Sequence, residues 1–154
     1  TKTEAEKIII ENKGIALRLA SAFGCSPSMR WDLLINDFVK TAITKKHLKI
    51  FQPKVKRDFV HVKDICSAII MALSKFDKMK GKVYNVSGIN CSKEDIVKIL
   101  QKQIPDLKVE IVEGEDPESR NYIISSEKIR RLGWKPQITL NEGLMEIASM
   151  ANFT

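Results

Sequence analysis

Short apolar strands alternate with amphipathic helices along most of the chain, and this alternation constrains the fold more than any other feature. Residues 15–23 are short and apolar, interrupted only by Arg18, and predict a buried strand. Residues 33–45 carry apolar side chains at helical spacing, which predicts an amphipathic helix capped by Asp32. This alternation predicts the α/β class.

The same pattern continues toward the C-terminus. Ser92 followed by Asp95, and Thr139 followed by Glu142, are capping-box signatures that place two helix starts. Further strands are expected over residues 48–51, 57–62, 83–86 and 107–112. Further helices are expected over residues 1–12, from a cap at Asp64 to a break at Gly81, and over 93–103, 125–132 and 140–151.

Composition bounds the class of protein. With 154 residues and 44% hydrophobic residues, the chain is long enough to close a core without staples. No apolar run approaches the roughly 20 residues of a membrane helix, so we expect no membrane partner. The cysteines, Cys25, Cys66 and Cys91, are widely spaced and odd in number. This spacing argues against a disulfide framework and against a metal site, and favours a reducing, cytoplasmic setting.

The net charge of +7 favours anionic partners. The basic residues are scattered and do not select among nucleic acids, acidic membranes and phosphorylated metabolites. Only 6% of residues are aromatic and no basic stripe lines one helix, which disfavours nucleic acid. A small basic nucleic-acid-binding domain remains an alternative at this point.

A glycine-rich phosphate loop is absent from this sequence. The 7 glycines are spread thinly, and neither a GxGxxG nor a Walker pattern occurs. Any dinucleotide site would therefore be completed by residues outside these 154.

Six short motifs occur in one consistent order along the chain. They are Thr1-Lys2-x-x-Ala5-Glu6, Arg18-Leu19-x-x-x-Phe23-Gly24, Arg57-Asp58-Phe59-Val60-His61-Val62-x-Asp64, Tyr84-Asn85-Val86-x-Gly88, Leu132-Gly133-Trp134-x-Pro136 and Leu140-x-Glu142-Gly143. As an ordered set they resemble the C-terminal half of the extended short-chain dehydrogenase/reductase family. That family includes the NAD-dependent nucleotide-sugar epimerases and dehydratases, and residues 24–33 look like its epimerase-type branch.

The resemblance implies the C-terminal part of a Rossmann-type parallel sheet plus a small α/β substrate-binding lobe. Residues 1–24 and 81–88 would belong to the sheet, and residues 25–80 and 89–154 mainly to the lobe. NAD or NADP would be bound mainly by the family's N-terminal half, which carries the glycine-rich turn. The chain therefore reads as a fragment that we expect to be inactive alone.

Lys2 matches the lysine of the family's Tyr-x-x-x-Lys motif, whose tyrosine would precede this sequence. The resemblance implies a catalytic and a cofactor-binding role for Lys2. An ammonium group lowers the pKa of a nearby phenol, which then acts as a base, and the same lysine would hold the cofactor's ribose. A solvated lysine near a chain end is the alternative.

The resemblance also implies substrate-binding residues. Arg57 would contact the phosphates of a nucleotide, for which its paired donors are suited, unless it pairs with Asp58 or Asp64. Phe51 would lie near the base, with a core phenylalanine as the alternative. Asn36 could read a base or sugar edge, or simply lie on a helix surface.

Ser21, Arg120 and Tyr122 are three further candidates, and the sequence departs from the family pattern at Ser21 and at Glu115. Arg120 and Tyr122 lie in a loop that resembles the family's substrate loop, although Glu115 stands where many members place an arginine. Ser21 stands where many members carry a substrate-binding asparagine, and offers a hydroxyl in place of an amide.

Together these features predict the substrate-binding part of an NAD(P)-dependent nucleotide-sugar epimerase or dehydratase. Its ligand would be a nucleoside-diphosphate sugar. Strand faces left without the family's first half would expose apolar surface, so we expect a homo-oligomer, and a self-associating interaction module remains a second alternative.

Overall fold

The computed structural model describes residues 1–114 and 123–151, and the α/β prediction with parallel strands is confirmed. The helices are α1 (Lys2–Glu11), α2 (Leu34–Lys45), α3 (Val62–Ser74), α4 (Phe76–Met79), α5 (Lys93–Gln103), α6 (Glu127–Arg130) and α7 (Leu140–Ala151). The strands are β1 (Ile15–Leu19), β2 (Ser21–Phe23), β3 (His47–Phe51), β4 (Lys56–His61), β5 (Lys82–Val86), β6 (Ile89–Ser92) and β7 (Lys108–Val112).

The strands change partners at a junction beside Phe59. β1 pairs with β5 in parallel, and Ala20 extends that pair by donating its N–H to the Val86 carbonyl at 2.9 Å. Beyond Ala20 the chain becomes β2, which pairs in parallel with β4 and places Ser21 opposite Phe59. On the other side of β4, β6 pairs antiparallel and begins with Ile89, also opposite Phe59. β4 is therefore the central strand of the β2–β4–β6 sheet.

β4 also separates two hydrophobic clusters, because successive side chains of a strand point to opposite faces. Phe59 lies in a cluster closed by α2, α5 and α7, where it meets the ring of Phe23 edge-on at 6.4 Å. Val60 lies in a second cluster with Tyr84 and Trp134. β4 thus supplies one core residue to each cluster, and the two clusters lie on opposite faces of this strand.

A separate two-stranded sheet, formed by β3 and β7, adds residues to the first cluster. β3 and β7 pair in parallel, with Phe51 opposite Val112. Leu48 and Ile50 of β3 are buried against α2, whereas Lys49 on the other face is exposed. This pair of strands ends next to the start of β4.

Two buried carboxylates fasten the C-terminal segment to β4 and α3. Asp58 accepts hydrogen bonds from the Ile124 N–H at 2.8 Å and from the Ser87 hydroxyl at 3.0 Å. Asp64 accepts from the N–H groups of Gln137 at 2.8 Å and Ile138 at 3.3 Å. Both side chains are at most 5% exposed, so these bonds offset the cost of removing the carboxylates from water.

Both predicted aspartate caps are wrong. Asp32 pairs with Arg30, and α2 begins after Leu33 without a side-chain cap. α3 begins after His61, whose Nδ1 accepts from the Lys63 N–H at 3.3 Å, while Asp64 lies inside the first turn. In both cases another partner satisfies the carboxylate better than the helix terminus does.

The strand predictions need two corrections. The single strand expected over residues 15–23 is two strands, because its partner changes at Ala20. β6 (Ile89–Ser92) was not expected, since its short polar sequence carries no strand pattern and it forms only by pairing with β4.

Apolar side chains of α1 and α3 remain exposed. They are Ile8 and Ile9 of α1, and Ile69, Ile70 and Leu73 of α3. The self-association expected from such surface stays a prediction. Across the part of the chain that the structure describes, no helix has the length and apolar character needed to cross a membrane.

Replacing Asp64 with alanine should destabilise the protein markedly. The change removes the acceptor of two partly buried backbone N–H groups, and the loss of such a charge-assisted hydrogen bond costs about 1–3 kcal/mol. We expect the free energy of unfolding in urea to fall by at least about 2 kcal/mol. Asp77→Ala, at a side chain that is 89% exposed, is the matched control and should change it by less than about 0.5 kcal/mol. Equal effects of the two changes would contradict the fastening role.

The stability of the protein should fall as the solution becomes mildly acidic. His61 is fully buried, and burial lowers its pKa, an effect that the charges of Glu146 and Asp64 partly offset. The unfolded chain, with a histidine pKa of about 6.5, then binds the proton more readily than the folded one. Stability is therefore complete above that pH and is lost as the pH falls through it.

The test compares the free energy of unfolding at about pH 7.5 and about pH 5.5. The fall in this free energy between the two pH values should be smaller in His61→Phe than in the wild type. His47→Gln, which alters a histidine that is 42% exposed, is the control and should behave like the wild type. An identical pH dependence in all three proteins would contradict this assignment.

Candidate functional site

Arg57 and Ser21 share one face of the sheet. Arg57 lies two residues before Phe59 on β4, and Ser21 lies opposite Phe59 on β2. Alternate residues of a strand and paired residues of parallel strands point to the same side. Arg57 is half-buried and Ser21 is exposed, so the two groups lie where the first hydrophobic cluster meets solvent.

Phe51 lies at the end of β3, where its ring is 38% exposed. The ring lies beside Gly114, at which a Cβ atom would be only 3.4 Å from the ring carbons. A short turn, closed by a hydrogen bond from the Val55 N–H to the Gln52 carbonyl at 3.2 Å, leads from Phe51 to β4. An exposed aromatic face and a guanidinium group therefore lie on either side of one turn.

Lys93 is a site residue that sequence reasoning missed. It is 8% exposed, and its ammonium group donates to the carbonyl of Phe51 at 2.8 Å. Lys93 is the first residue of α5, where the helix dipole disfavours a positive charge. The sequence shows the unfavourable position of this lysine but not the carbonyl group that its ammonium contacts.

Asn36 is buried, 2% exposed, so the helix-surface alternative is wrong. Its Oδ1 accepts from the Gly24 N–H at 3.2 Å, and its Nδ2 donates to the Arg30 carbonyl at 3.0 Å. The side chain thus ties the loop after β2 to α2. Contact between Asn36 and a substrate stays a prediction and would require one of these bonds to be exchanged.

The loop that Asn36 holds approaches His61 closely. Gly24 has a φ of 114°, and a Cβ there would come within 2.4 Å of His61 Nε2. Only glycine fits this position, because both the backbone conformation and the contact exclude a side chain.

Lys2 lies exposed in the first turn of α1. Glu6 of α1 accepts two hydrogen bonds from Arg18 near the end of β1, at 2.8 and 2.7 Å. A short turn joins α1 to β1, so the two elements run in opposite directions. Lys2 lies one helical turn from Glu6, toward the N-terminus of α1. Lys2 is therefore at the end of β1 that leads to Ser21.

Two predicted residues lie outside the described part of the chain. Arg120 and Tyr122 fall within residues 115–122, and their substrate contacts stay predictions. In residues 1–114 and 123–151 no group of three or more histidine, cysteine, aspartate or glutamate side chains comes together in a way that could hold a metal ion.

Comparison with known proteins identifies relatives of this fold. Residues 28–147 match the family model described as GDP-mannose 4,6 dehydratase. GDP-6-deoxy-D-mannose reductase of Pseudomonas aeruginosa is 32% identical over 119 residues, which cover 72% of this chain and 38% of that protein. Low-salt glycan biosynthesis protein Agl12 of Haloferax volcanii is 27% identical over 131 residues, covering 82% of this chain and 41% of that protein.

A solved structure gives the same picture. dTDP-glucose 4,6-dehydratase from Bacillus anthracis, in complex with NAD, superposes with a TM-score of 0.81 at 28% identity, covering 99% of this chain and 49% of that one. The chain thus spans about two fifths of the length of these curated relatives and half of the solved one.

Replacing Asn36 with alanine should loosen the loop after β2. The change removes two hydrogen bonds from a buried site, and we expect the free energy of unfolding to fall by about 1–3 kcal/mol. Asn141→Ala, on the exposed face of α7, is the control and should have little effect. Thermal or urea unfolding of both variants measures the difference. Wild-type stability in Asn36→Ala would show that these bonds do not hold the loop.

Proposed function

The chain belongs to the extended short-chain dehydrogenase/reductase family of nucleotide-sugar dehydratases and epimerases, and we propose that it supplies the wall that binds a nucleoside-diphosphate sugar. The observation that carries this proposal is the arrangement of three residues around β4: Phe51 ends the strand before it, Arg57 lies near its start, and Ser21 lies opposite Phe59, two residues further on. A nucleoside-diphosphate sugar has the same order: an aromatic base, then two phosphates, then a sugar.

Each of these side chains suits its part of the ligand. The exposed ring of Phe51 offers a face on which a base can stack. The guanidinium of Arg57 offers paired donors that match phosphate oxygens. The hydroxyl of Ser21 can donate to, or accept from, a sugar hydroxyl. Asn36 would act through the loop that it holds, and Arg120 and Tyr122 would add a second set of contacts.

Lys2 fits the cofactor side of the site. Lys2 begins the helix whose Glu6 pairs with Arg18 of β1, the strand that leads to Ser21, beside which the sugar would lie. We propose that Lys2 holds a ribose hydroxyl of NAD or NADP and stabilises the deprotonated form of a phenol outside these residues. A nicotinamide bound beside the sugar would supply the hydride acceptor and donor for such chemistry. The residues that hold most of the cofactor would lie in the part of such enzymes that this chain does not span.

In this account the residues of this chain bind and orient the nucleotide sugar, and they do not themselves accept the hydride. Arg57 neutralises the diphosphate and fixes its position, and Phe51 holds the base. With the base and the diphosphate held, the sugar ring has less freedom to leave the position beside Ser21, which is the contribution of orientation to the rate.

Arg57→Ala should weaken binding of nucleoside-diphosphate sugars by about tenfold or more, since a charge-assisted bidentate contact is lost. Arg57→Lys should recover part of the affinity, because it keeps the charge but not the paired geometry. The measurement is calorimetric titration of the full-length protein with UDP-, GDP-, dTDP- and CDP-sugars.

Arg131→Ala is the matched control, because that arginine is 75% exposed and pairs with Glu127 on the surface of the protein. It should leave every affinity unchanged. Equal affinities in Arg57→Ala and the wild type would contradict the proposed function, as would the failure of the full-length protein to bind any of the four sugars.

A further inference from the structure

The buried side chain of Lys93 reaches from α5 to the backbone of Phe51. Its ammonium group donates to the Phe51 carbonyl at 2.8 Å, and the residue is only 8% exposed. Burial of an ammonium group is unfavourable unless hydrogen bonds replace its water. Lys93 is also the first residue of α5, where the helix dipole disfavours a positive charge. Both effects oppose a lysine at this position, and the bond to Phe51 helps to offset them.

The start of α5 holds the turn after Phe51 as well. The Glu94 N–H donates to the carbonyl of Pro53, two residues beyond Phe51, at 3.0 Å. Ser92, the N-cap of α5, lies opposite Lys56 at the start of β4. The start of α5 is therefore attached to both strands that flank the turn, and it fixes where Phe51 lies relative to β4.

The orientation of the Phe51 ring depends on this backbone. Phe51 ends β3 with its ring 38% exposed, and the ring lies beside Gly114, where a Cβ atom would be 3.4 Å from two ring carbons. A phenylalanine side chain has two torsions, each with few preferred values. With the backbone held and Gly114 on one side, few orientations of the ring remain. Loss of the bond from Lys93 would free the peptide group after Phe51 and broaden the orientations of the ring.

We propose that Lys93 is a positioning residue, which holds the ring of Phe51 in the orientation on which the base of a nucleotide stacks. This inference rests on the proposed function, and it adds a residue that acts on the base through Phe51. A contact surface that is ordered before the ligand arrives binds more tightly, because less freedom is lost on binding. The effect of Lys93 should therefore be confined to ligands that carry a base.

The test is a double-mutant cycle on the full-length protein, with affinities for UDP, GDP, dTDP, CDP and inorganic pyrophosphate measured by calorimetry. Lys93→Met keeps the aliphatic stem and removes the ammonium group. It should weaken binding of the nucleoside diphosphates by about three- to tenfold, since part of the stacking contribution is lost, and of pyrophosphate by less than about twofold. In a Phe51→Ala background no ring remains to be positioned, so Lys93→Met should weaken binding of the nucleoside diphosphates by less than about twofold.

Three further variants separate positioning from a general loss of stability. Lys93→Gln, whose neutral side chain is one atom shorter than that of lysine, should behave like Lys93→Met. Lys93→Arg keeps a charged N–H donor and should recover part of the lost affinity. Lys98→Met, which alters a lysine of the same helix that is 60% exposed, is the matched control and should leave every affinity unchanged.

The outcomes separate this inference from the proposed function. The role of Lys93 is overturned if Lys93→Met weakens the nucleoside diphosphates equally with and without the Phe51 ring, weakens pyrophosphate as much as the nucleoside diphosphates, or changes no affinity. If Arg57→Ala still weakens binding in that case, the proposed function stands. Failure of the wild type to bind any of these ligands overturns both.

Discussion

The buried carboxylates of Asp58 in β4 and Asp64 in the first turn of α3 hold the C-terminal segment against the rest of the protein. A carboxylate inside a protein is tolerated only where hydrogen bonds replace its water, and here backbone N–H groups of the C-terminal segment supply them. Detaching the segment from Ile124 to Ile138 would therefore break three hydrogen bonds to these carboxylates. Since Phe59 and Val60 of the same strand enter different clusters, this fastening also sets how the two clusters meet.

The position of the candidate site follows from that arrangement. β4 places Arg57 at the edge of one cluster, and the change of strand partners beside Phe59 places Ser21 on the same face. Phe51 ends β3, and a short turn joins that strand to β4 just before Arg57. The order of the three side chains is thus a consequence of where β4 begins and where its neighbours change, rather than of any local motif.

The sequence predicts the elements better than their connections. Period and capping signals locate most helices and strands, and the boxes at Ser92 and Thr139 are present. The change of partner at Ala20 could not be predicted, because it depends on pairing between segments far apart in the chain. The motif containing Asp58 and Asp64 was recognised, but apart from the Ser87 hydroxyl the partners of these carboxylates are backbone groups, which no side-chain pattern reveals. For the same reason the burial of Asn36 and the contact of Lys93 with Phe51 appear only in the folded structure.

A crystal structure of the full-length protein with a bound nucleoside-diphosphate sugar tests the central claim most directly. The account predicts diphosphate oxygens at about 2.7–3.2 Å from the guanidinium of Arg57, with the base against the ring of Phe51 and the sugar beside Ser21. A ligand bound at another surface, with Arg57 remote from every phosphate, would contradict it.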